Sequence, residues 1–277
     1  AISLIFVAVG CASFVIRGFN FGIDFTGGSI IELHFENPVN IPVVRDALRP
    51  FGLDNATIQL DTDADSSNNV MIRTVDLDNT TRQSILDSFR SIGNFDILRI
   101  EKVGATIGNE LILNALLALV ISWALIIAYI AFRFEFKFGI AAVIALVHDI
   151  LIVLAVFSLT QKQIDSSFVA ALLTIVGYSI NDTIVIFDRI RENLKLHFKR
   201  GGDFNEIVNR SIYQTLTRSL YTVFTCLFTT FALFFFGGET TKDFAFALIV
   251  GFMSGCYSSI FIAGPLWLEL RKFGNKK

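Results

Sequence analysis

Ionisable side chains in the middle of apolar runs are the residues of this sequence that could do chemistry. His148 and Asp149 stand together near the centre of one apolar run, and Asn181 and Asp182 stand in the next. A charged group at mid-bilayer costs about 2.5–3.5 kcal/mol on insertion scales, so it persists only when it is paired, hydrated or functional. Membrane transporters use such carboxylates to take up and release protons. The sequence therefore predicts a proton-coupling site.

Arg218 is the expected partner of Asp182. It lies near the start of the following apolar run, at a depth comparable to that of Asp182. Consecutive helices are often neighbours, so Asp182 and Arg218 are expected to meet. Burial favours the neutral carboxyl and a nearby arginine favours the carboxylate, so a moving Arg218 would load and unload a proton. The alternatives are a static ion pair that locks two helices and, for His148, packing or hydrogen bonding in place of proton relay.

Other kinds of chemistry lack their residues in this sequence. The histidines at positions 34, 148 and 197 are far apart, and no catalytic triad is recognisable, so we expect no metal, no other cofactor and no enzyme activity. Asp24, Gly27 and Gly28 form a glycine-rich stretch that matches neither the dinucleotide-binding nor the P-loop spacing. We interpret this stretch as a structural turn.

The elements that position these residues are predicted to be membrane spans. Only 17% of the 277 residues are charged, against about a quarter in soluble domains. The apolar runs of roughly twenty residues match a hydrocarbon core about 30 Å thick. We predict six spans, at residues 1–16, 111–132, 139–160, 166–187, 216–236 and 244–267, of which the first is short and is expected to be truncated.

The distribution of lysine and arginine predicts the orientation. Thirteen of them follow the second, fourth and sixth spans, whereas the loops on the opposite side carry only Lys162 and Lys242. The positive-inside rule therefore places both termini in the cytoplasm. Residues 17–110 are expected to lie outside, residues 111–268 to hold spans two to six, and residues 269–277 to form a cytoplasmic tail.

Residues 17–110 are predicted to form a small α+β domain. Strand-like patterns occur at residues 29–36, 56–60, 69–75 and 95–102, and helical patterns occur after Asn40 and at residues 79–91. The resulting order, β-α-β-β-α-β, is the ferredoxin-like arrangement. The turn between the two middle strands is expected at residues 61–68. The predicted core contains Ile31, Leu33, Phe35, Ile85 and Phe89.

Several segments resemble the SecD/SecF family of protein-export membrane proteins. FNFGIDFTGGS at residues 19–29, VGATIGNEL at 103–111 and ALVHDI at 145–150 each resemble a family motif. GYSINDTIVIFDRIREN at 177–193 is the most specific match and is similar to the SecF members rather than the SecD members. SIYQTLTRS at 211–219 also fits, with Tyr213 where the family pattern has Asn.

This resemblance implies a fold, partners and a site. The fold is a six-helix, all-α half-transporter like those of the RND superfamily, with one external α+β ferredoxin-like domain. The chain would work with SecD beside the SecYEG channel in the cell inner membrane, in contact with lipid and exported unfolded polypeptide but not nucleic acid, and would use the proton motive force. The family's transmembrane aspartate and arginine fall on Asp182 and Arg218, and SecD carries an aspartate where this chain has Asn181.

Two other functions remain open. An RND-type exporter of small molecules or lipids is one, although roughly ninety external residues are few for enclosing such a substrate. A structural scaffold of the translocon that conducts no protons is the other.

Overall fold

Long helices and a small antiparallel sheet make up the chain, as a computed structural model describes it for residues 2–54, 56–60, 68–103, 105–133, 135–197 and 203–274. The helices are α1 (Ile2–Arg17), α2 (Ile23–Thr26), α3 (Ile41–Leu48), α4 (Asn79–Arg90), α5 (Ala105–Arg133), α6 (Phe136–Thr160), α7 (Ser166–His197), α8 (Phe204–Phe236), α9 (Glu239–Ser258) and α10 (Gly264–Gly274). The strands are β1 (Asn20–Phe21), β2 (Gly28–Phe35), β3 (Thr57–Leu60), β4 (Asn69–Thr74), β5 (Phe95–Val103) and β6 (Gln163–Ile164). Two compact units result, residues 1–20 with 115–277 and residues 21–114.

Five helical segments are long and apolar enough to cross a membrane, within the part of the chain that the structure describes. They are Glu110–Ile130, Phe136–Thr160, Ser166–Leu196, Phe204–Phe236 and Thr241–Lys272. The first apolar helix, α1, has 16 residues and is shorter than the roughly twenty that a bilayer requires. The chain is therefore a multi-pass membrane protein. Helices α7 and α8 extend beyond the predicted spans, so Arg218 lies well inside α8 rather than near its start.

A π-helical segment interrupts the last long helix. Residues Ser259–Ala263 adopt this wider turn between α9 and α10. Such π-bulges are rare and occur frequently at functional sites. The interruption begins directly after Ser258, so it shifts the side chains that follow relative to those of α9.

Small residues bring α9 close to α7. A Cβ atom added to Gly251 would lie 2.2 Å from Cδ1 of Ile175, and one added to Gly255 would lie 3.1 Å from Cβ of Ser179. Association of membrane helices depends on such close packing because lipid supplies no hydrophobic driving force between them. The glycines therefore allow polar groups on α7 and α9 to approach each other.

The unit of residues 21–114 is built on a four-stranded antiparallel sheet. Its strand order is β3-β4-β2-β5, with Ile31 of the central β2 paired to Ile72 on one side and to Ile100 on the other. All five core residues that were named from the sequence are at most 1% exposed. Apart from Asn68, the turn that was predicted at residues 61–68 lies outside the described residues.

Asp78 caps α4 and provides a pH-dependent contribution to stability. Its carboxylate accepts hydrogen bonds from the Thr80 hydroxyl and from the amides of Thr80 and Thr81. Several hydrogen bonds hold the pKa of Asp78 well below its usual range, and the one to the Thr80 side chain has the largest effect.

We expect Asp78→Ala to lower the melting temperature of the isolated segment 21–103 because the cap is lost. The unfolded-state pKa of aspartate is about 3.9. The stability that Asp78→Ala loses should therefore be constant above that pH. It should shrink as the pH falls below it, because protonation of Asp78 then removes the stabilisation that its carboxylate gives the unsubstituted protein. Thermal melts across this range measure the effect. Asp78→Asn is the control, since asparagine caps as well but cannot ionise; a loss for Asp78→Ala that does not change with pH would contradict the prediction.

Candidate functional site within the membrane helices

Asp149 lies at the centre of a cage of hydrogen-bond donors. Its side chain, on α6, is completely buried. Oδ1 accepts from Ser254 Oγ at 2.8 Å and lies 3.2 Å from His148 Nδ1. Oδ2 accepts from Ser179 and from Ser258, each with an Oγ–Oδ2 distance of 2.7 Å. Donors from α6, α7 and α9 thus surround one carboxylate.

His148 joins this cage to α1. The Nε2 atom of its ring is hydrogen bonded to the hydroxyl of Ser3, and its Nδ1 faces Asp149. When Nδ1 carries the proton and donates to Asp149, Nε2 accepts from Ser3. The ring also lies 6.0 Å from that of Tyr257, measured between centroids. His148 is therefore fixed in orientation by both of its nitrogen atoms.

Asp182 is the second buried carboxylate, with 7% of the residue exposed. Ser219 of α8 donates to its Oδ1 at 2.6 Å. Its Oδ2 is buried and has no hydrogen-bond partner among the residues that the structure describes. The Ser259 hydroxyl is close enough to interact with the Asp182 carboxyl, but the hydrogen bond for which its geometry is suitable joins it to Thr183 Oγ1 at 2.9 Å. One oxygen of Asp182 is therefore bonded and the other retains its lone pairs.

Arg218 and Asn181 face away from the packed interior. Both are exposed, and the ion pairs among the described residues include none between Asp182 and Arg218. Arg218 lies within electrostatic range of Asp182, but the neighbouring Ser219 makes the contact. The structure thus groups Asp182 with Ser219 and leaves Asn181 and Arg218 on the surface of this chain.

Hydroxyl groups connect the two carboxylates. Ser258, which donates to Asp149, precedes Ser259, whose hydroxyl contacts Thr183 beside Asp182. Ser179 lies three residues before Asp182 on the same helix, and its backbone carbonyl accepts from Ser259 at 3.4 Å. The chain of contacts passes through the first residue of the π-helical segment.

The sequence alone does not single out the serines of this network. Ser179, Ser219, Ser254, Ser258 and Ser259 carry most of its hydrogen bonds. Their spacing held a signal, because Ser254 and Ser258 are four residues apart and so share a face of a helix. Without knowledge of which helix faces Asp149, that face cannot be distinguished from one that merely allows close packing.

The glycine-rich stretch forms a tight turn within the unit of residues 21–114. The short helix α2 ends at Thr26 and is capped by Gly27, which has φ 70°, and Gly28 follows with φ 135°. These values favour glycine. A Cβ atom on Gly28 would also lie 2.4 Å from the Thr74 carbonyl oxygen. Asp24 lies in the first turn of α2.

Buried carboxylates enclosed by hydroxyl groups, in a chain with several membrane-length helices, are the arrangement found in membrane transporters. Two family descriptions match this chain: "Protein export membrane protein SecD/SecF, C-terminal" over residues 84–273 and "SecD/SecF GG Motif" over residues 12–39. The chain belongs to the SecD/SecF family.

Individual relatives agree with this membership. A protein translocase subunit SecF of Acidaminococcus fermentans is 48% identical over 276 residues, which cover 98% of this chain and 94% of that protein. A SecF of Sebaldella termitidis is 41% identical, and the match covers 93% of this chain and 84% of that protein. The crystal structure of SecDF, a translocon-associated membrane protein from Thermus thermophilus, matches with a TM-score of 0.88 and 39% identity over 98% of this chain. The match spans 37% of the SecDF chain.

Proposed function

We propose that the chain is an accessory subunit of the Sec translocase that promotes protein export. The support is family membership together with near full-length identity of 38–48% to proteins that are named translocase subunit SecF. The chain acts by transport rather than by catalysis. It resides in the cell inner membrane.

The proton motive force drives this activity through Asp182. The observation that carries the proposal is the buried Oδ2 atom, which accepts no hydrogen bond from the described residues and so offers a lone pair to a proton. Arg218 responds to the charge of Asp182, and Asn181, His148 and Asp149 belong to the same proton-coupling region. When Asp182 is neutral, its attraction for the Arg218 guanidinium and the Ser219 hydroxyl weakens. The two states therefore favour different positions of α8 relative to α7.

The architecture is that of an RND-like half-transporter. Residues 1–16, which contain most of α1, are the first of six spans, and residues 17–110 form a ferredoxin-like domain outside the membrane. Residues 111–268 hold the other five spans, and residues 269–277 form a cytoplasmic tail. The strand order β3-β4-β2-β5 with two intervening helices supports the ferredoxin-like assignment.

SecD is the expected partner, and the pair works beside SecYEG on exported unfolded polypeptide. A half-transporter forms its site between two halves. Exposed polar groups at membrane depth support this, since Arg218 and Asn181 face outward from this chain and would be costly against lipid. The match to part of a longer SecDF chain is consistent with such a pair.

Proton flux and protein export by the purified complex test the function. The chain is co-expressed with SecD, purified by a tag on this chain, and reconstituted with SecYEG into vesicles with an imposed proton gradient. Proton-dependent export that Asp182→Asn abolishes supports the proposal. Full export without proton flux would favour the structural scaffold, and export of a lipid or small molecule would favour the RND-type exporter.

The orientation yields a separate prediction. Gln83 in α4 and Lys195 near the end of α7 are both exposed, and the proposed topology places Gln83 outside and Lys195 in the cytoplasm. In intact cells, a membrane-impermeant maleimide should label Gln83→Cys but not Lys195→Cys, whereas both should react in opened membranes. The three native cysteines are replaced by serine in this background. Labelling of Lys195→Cys in intact cells would contradict the topology.

A further inference from the structure

Asp149 and Asp182 differ in how their oxygen atoms are used. An ionised carboxylate has about four lone-pair positions. At Asp149 the hydroxyls of Ser179, Ser254 and Ser258 occupy three of them, and His148 Nδ1 occupies the fourth when it carries the ring proton. At Asp182 only Oδ1 is engaged, and Oδ2 accepts no hydrogen bond from the described residues. Asp149 thus has no free position for a proton, and Asp182 has one.

The donors to Asp149 also hold three helices together. A single atom, Oδ2, accepts from Ser179 on α7 and from Ser258 on α9, while Asp149 itself belongs to α6. The same α7 and α9 are in close contact at Gly255, where an added Cβ would lie 3.1 Å from the Cβ of Ser179. Ser219, the donor to Asp182, belongs instead to α8.

From these contacts, and resting on the proposed function of Asp182, we infer that Asp149 is a positioning residue and does not carry the translocated proton. It fixes α6, α7 and α9 as one unit around Asp182. It acts on Asp182 through Ser258, whose neighbour Ser259 contacts Thr183, and through Ser179 one turn before Asp182. Proton exchange at Asp182 then weakens its attraction for Ser219 and for Arg218. Both residues belong to α8, so the moving element is α8.

Infrared difference spectroscopy distinguishes a proton carrier from a positioning residue. A protonated carboxylic acid has a C=O stretching band that a carboxylate lacks. The other ionisable groups within electrostatic range of Asp182, namely Tyr178, Arg218 and Cys256, have no such band. The complex with SecD is purified in an ester-free detergent, and spectra at low and high pH are subtracted. Asp182→Asn should remove part of the band, and Asp149→Asn should leave it unchanged.

Proton flux supplies the second readout. Asp149→Asn replaces one carboxylate oxygen, a hydrogen-bond acceptor, by an amide group that donates. The buried donors to that oxygen then lose their partner, so proton flux should fall about tenfold. Asp149→Glu should restore part of the flux that Asp149→Ala loses. Ser258→Ala, which removes one donor and is the milder change, should lower flux less than Asp149→Asn. Ser158→Ala is the control, since it breaks a buried Ser158–Ser13 hydrogen bond of 3.0 Å between α6 and α1 without involving either carboxylate.

Both the infrared spectra and the proton flux are measured only on variants that co-purify with SecD. Loss of the acid band in Asp149→Asn would show that Asp149 itself takes up a proton and would overturn the inference. Wild-type flux in both Asp149→Asn and Ser258→Ala would overturn it as well. Retention of band and flux in Asp182→Asn would instead refute the proposed function, whatever the Asp149 variants show.

Discussion

Asp182→Asn is expected to lower proton flux through the reconstituted complex by at least about a hundredfold, the lower range of what a positioned proton-transfer group contributes. Asparagine has nearly the shape of aspartate, and its amide oxygen can still accept the hydrogen bond from Ser219 that Oδ1 accepts at 2.6 Å. The amide cannot take up and release a proton near neutral pH. Proton-dependent export should fall with the flux, while export driven by other energy sources should persist.

The control for this variant is Asp188→Asn. Asp188 lies on the same helix, α7, but forms an ion pair with Arg191 at 3.1 Å near the end of that helix, and its side chain is 47% exposed. Exposed ion pairs of this kind contribute at most about 1 kcal/mol, so Asp188→Asn should leave flux within about twofold of the parent. An Asp182→Asn complex that assembles with SecD and still conducts at the parental rate would show that Asp182 has a structural role.

Asp149 and Asp182 could be found from the sequence because a carboxylate in an apolar run is costly wherever the run folds. That argument needs no knowledge of neighbours. The role of Arg218 was harder to predict. Its depth in the membrane follows from sequence position, but the direction of its side chain depends on the rotation of α8. Successive residues of an α-helix point in directions that differ by about 100° around the helix axis. This difference places Ser219 rather than Arg218 against Asp182.

The strands of the small sheet followed closely from the sequence pattern. The alternation of Ile31, Leu33 and Phe35 with polar residues predicted a strand at residues 29–36, and the structure places β2 one residue earlier, at Gly28–Phe35. Period-two patterns are strong where one face of a sheet is buried. The membrane helices lack that contrast, because apolar residues face both lipid and neighbouring helices. The cage around Asp149 and the π-helical segment at Ser259–Ala263 therefore left no comparable pattern.

Phe89→Ala is expected to destabilise the isolated segment 21–103 by about 3–5 kcal/mol, the usual cost of truncating a fully buried phenylalanine. Phe89 is 0% exposed and belongs to the core that Leu33, Ile72 and Ile85 also form. Removing its ring loses the transfer free energy of the ring and leaves a cavity, because the strands on one side and α4 on the other limit collapse. Equilibrium unfolding in urea measures the change in the free energy of unfolding.

Two further variants make this prediction decisive even when Phe89→Ala leaves too little folded protein to measure. Phe89→Leu keeps most of the volume and should cost roughly 1–2 kcal/mol, which remains measurable in a domain of this size. Phe51→Ala removes the same ring from a residue that is only partly buried against the core, so its cost should be clearly smaller than that of Phe89→Ala. A loss below about 1 kcal/mol for Phe89→Ala, or equal losses at positions 51 and 89, would mean that the ring of Phe89 is not enclosed in solution as it is in the structure. The packing of α4 on the sheet would then be wrong, because Ile85 and Leu86 are buried on the same helix as Phe89.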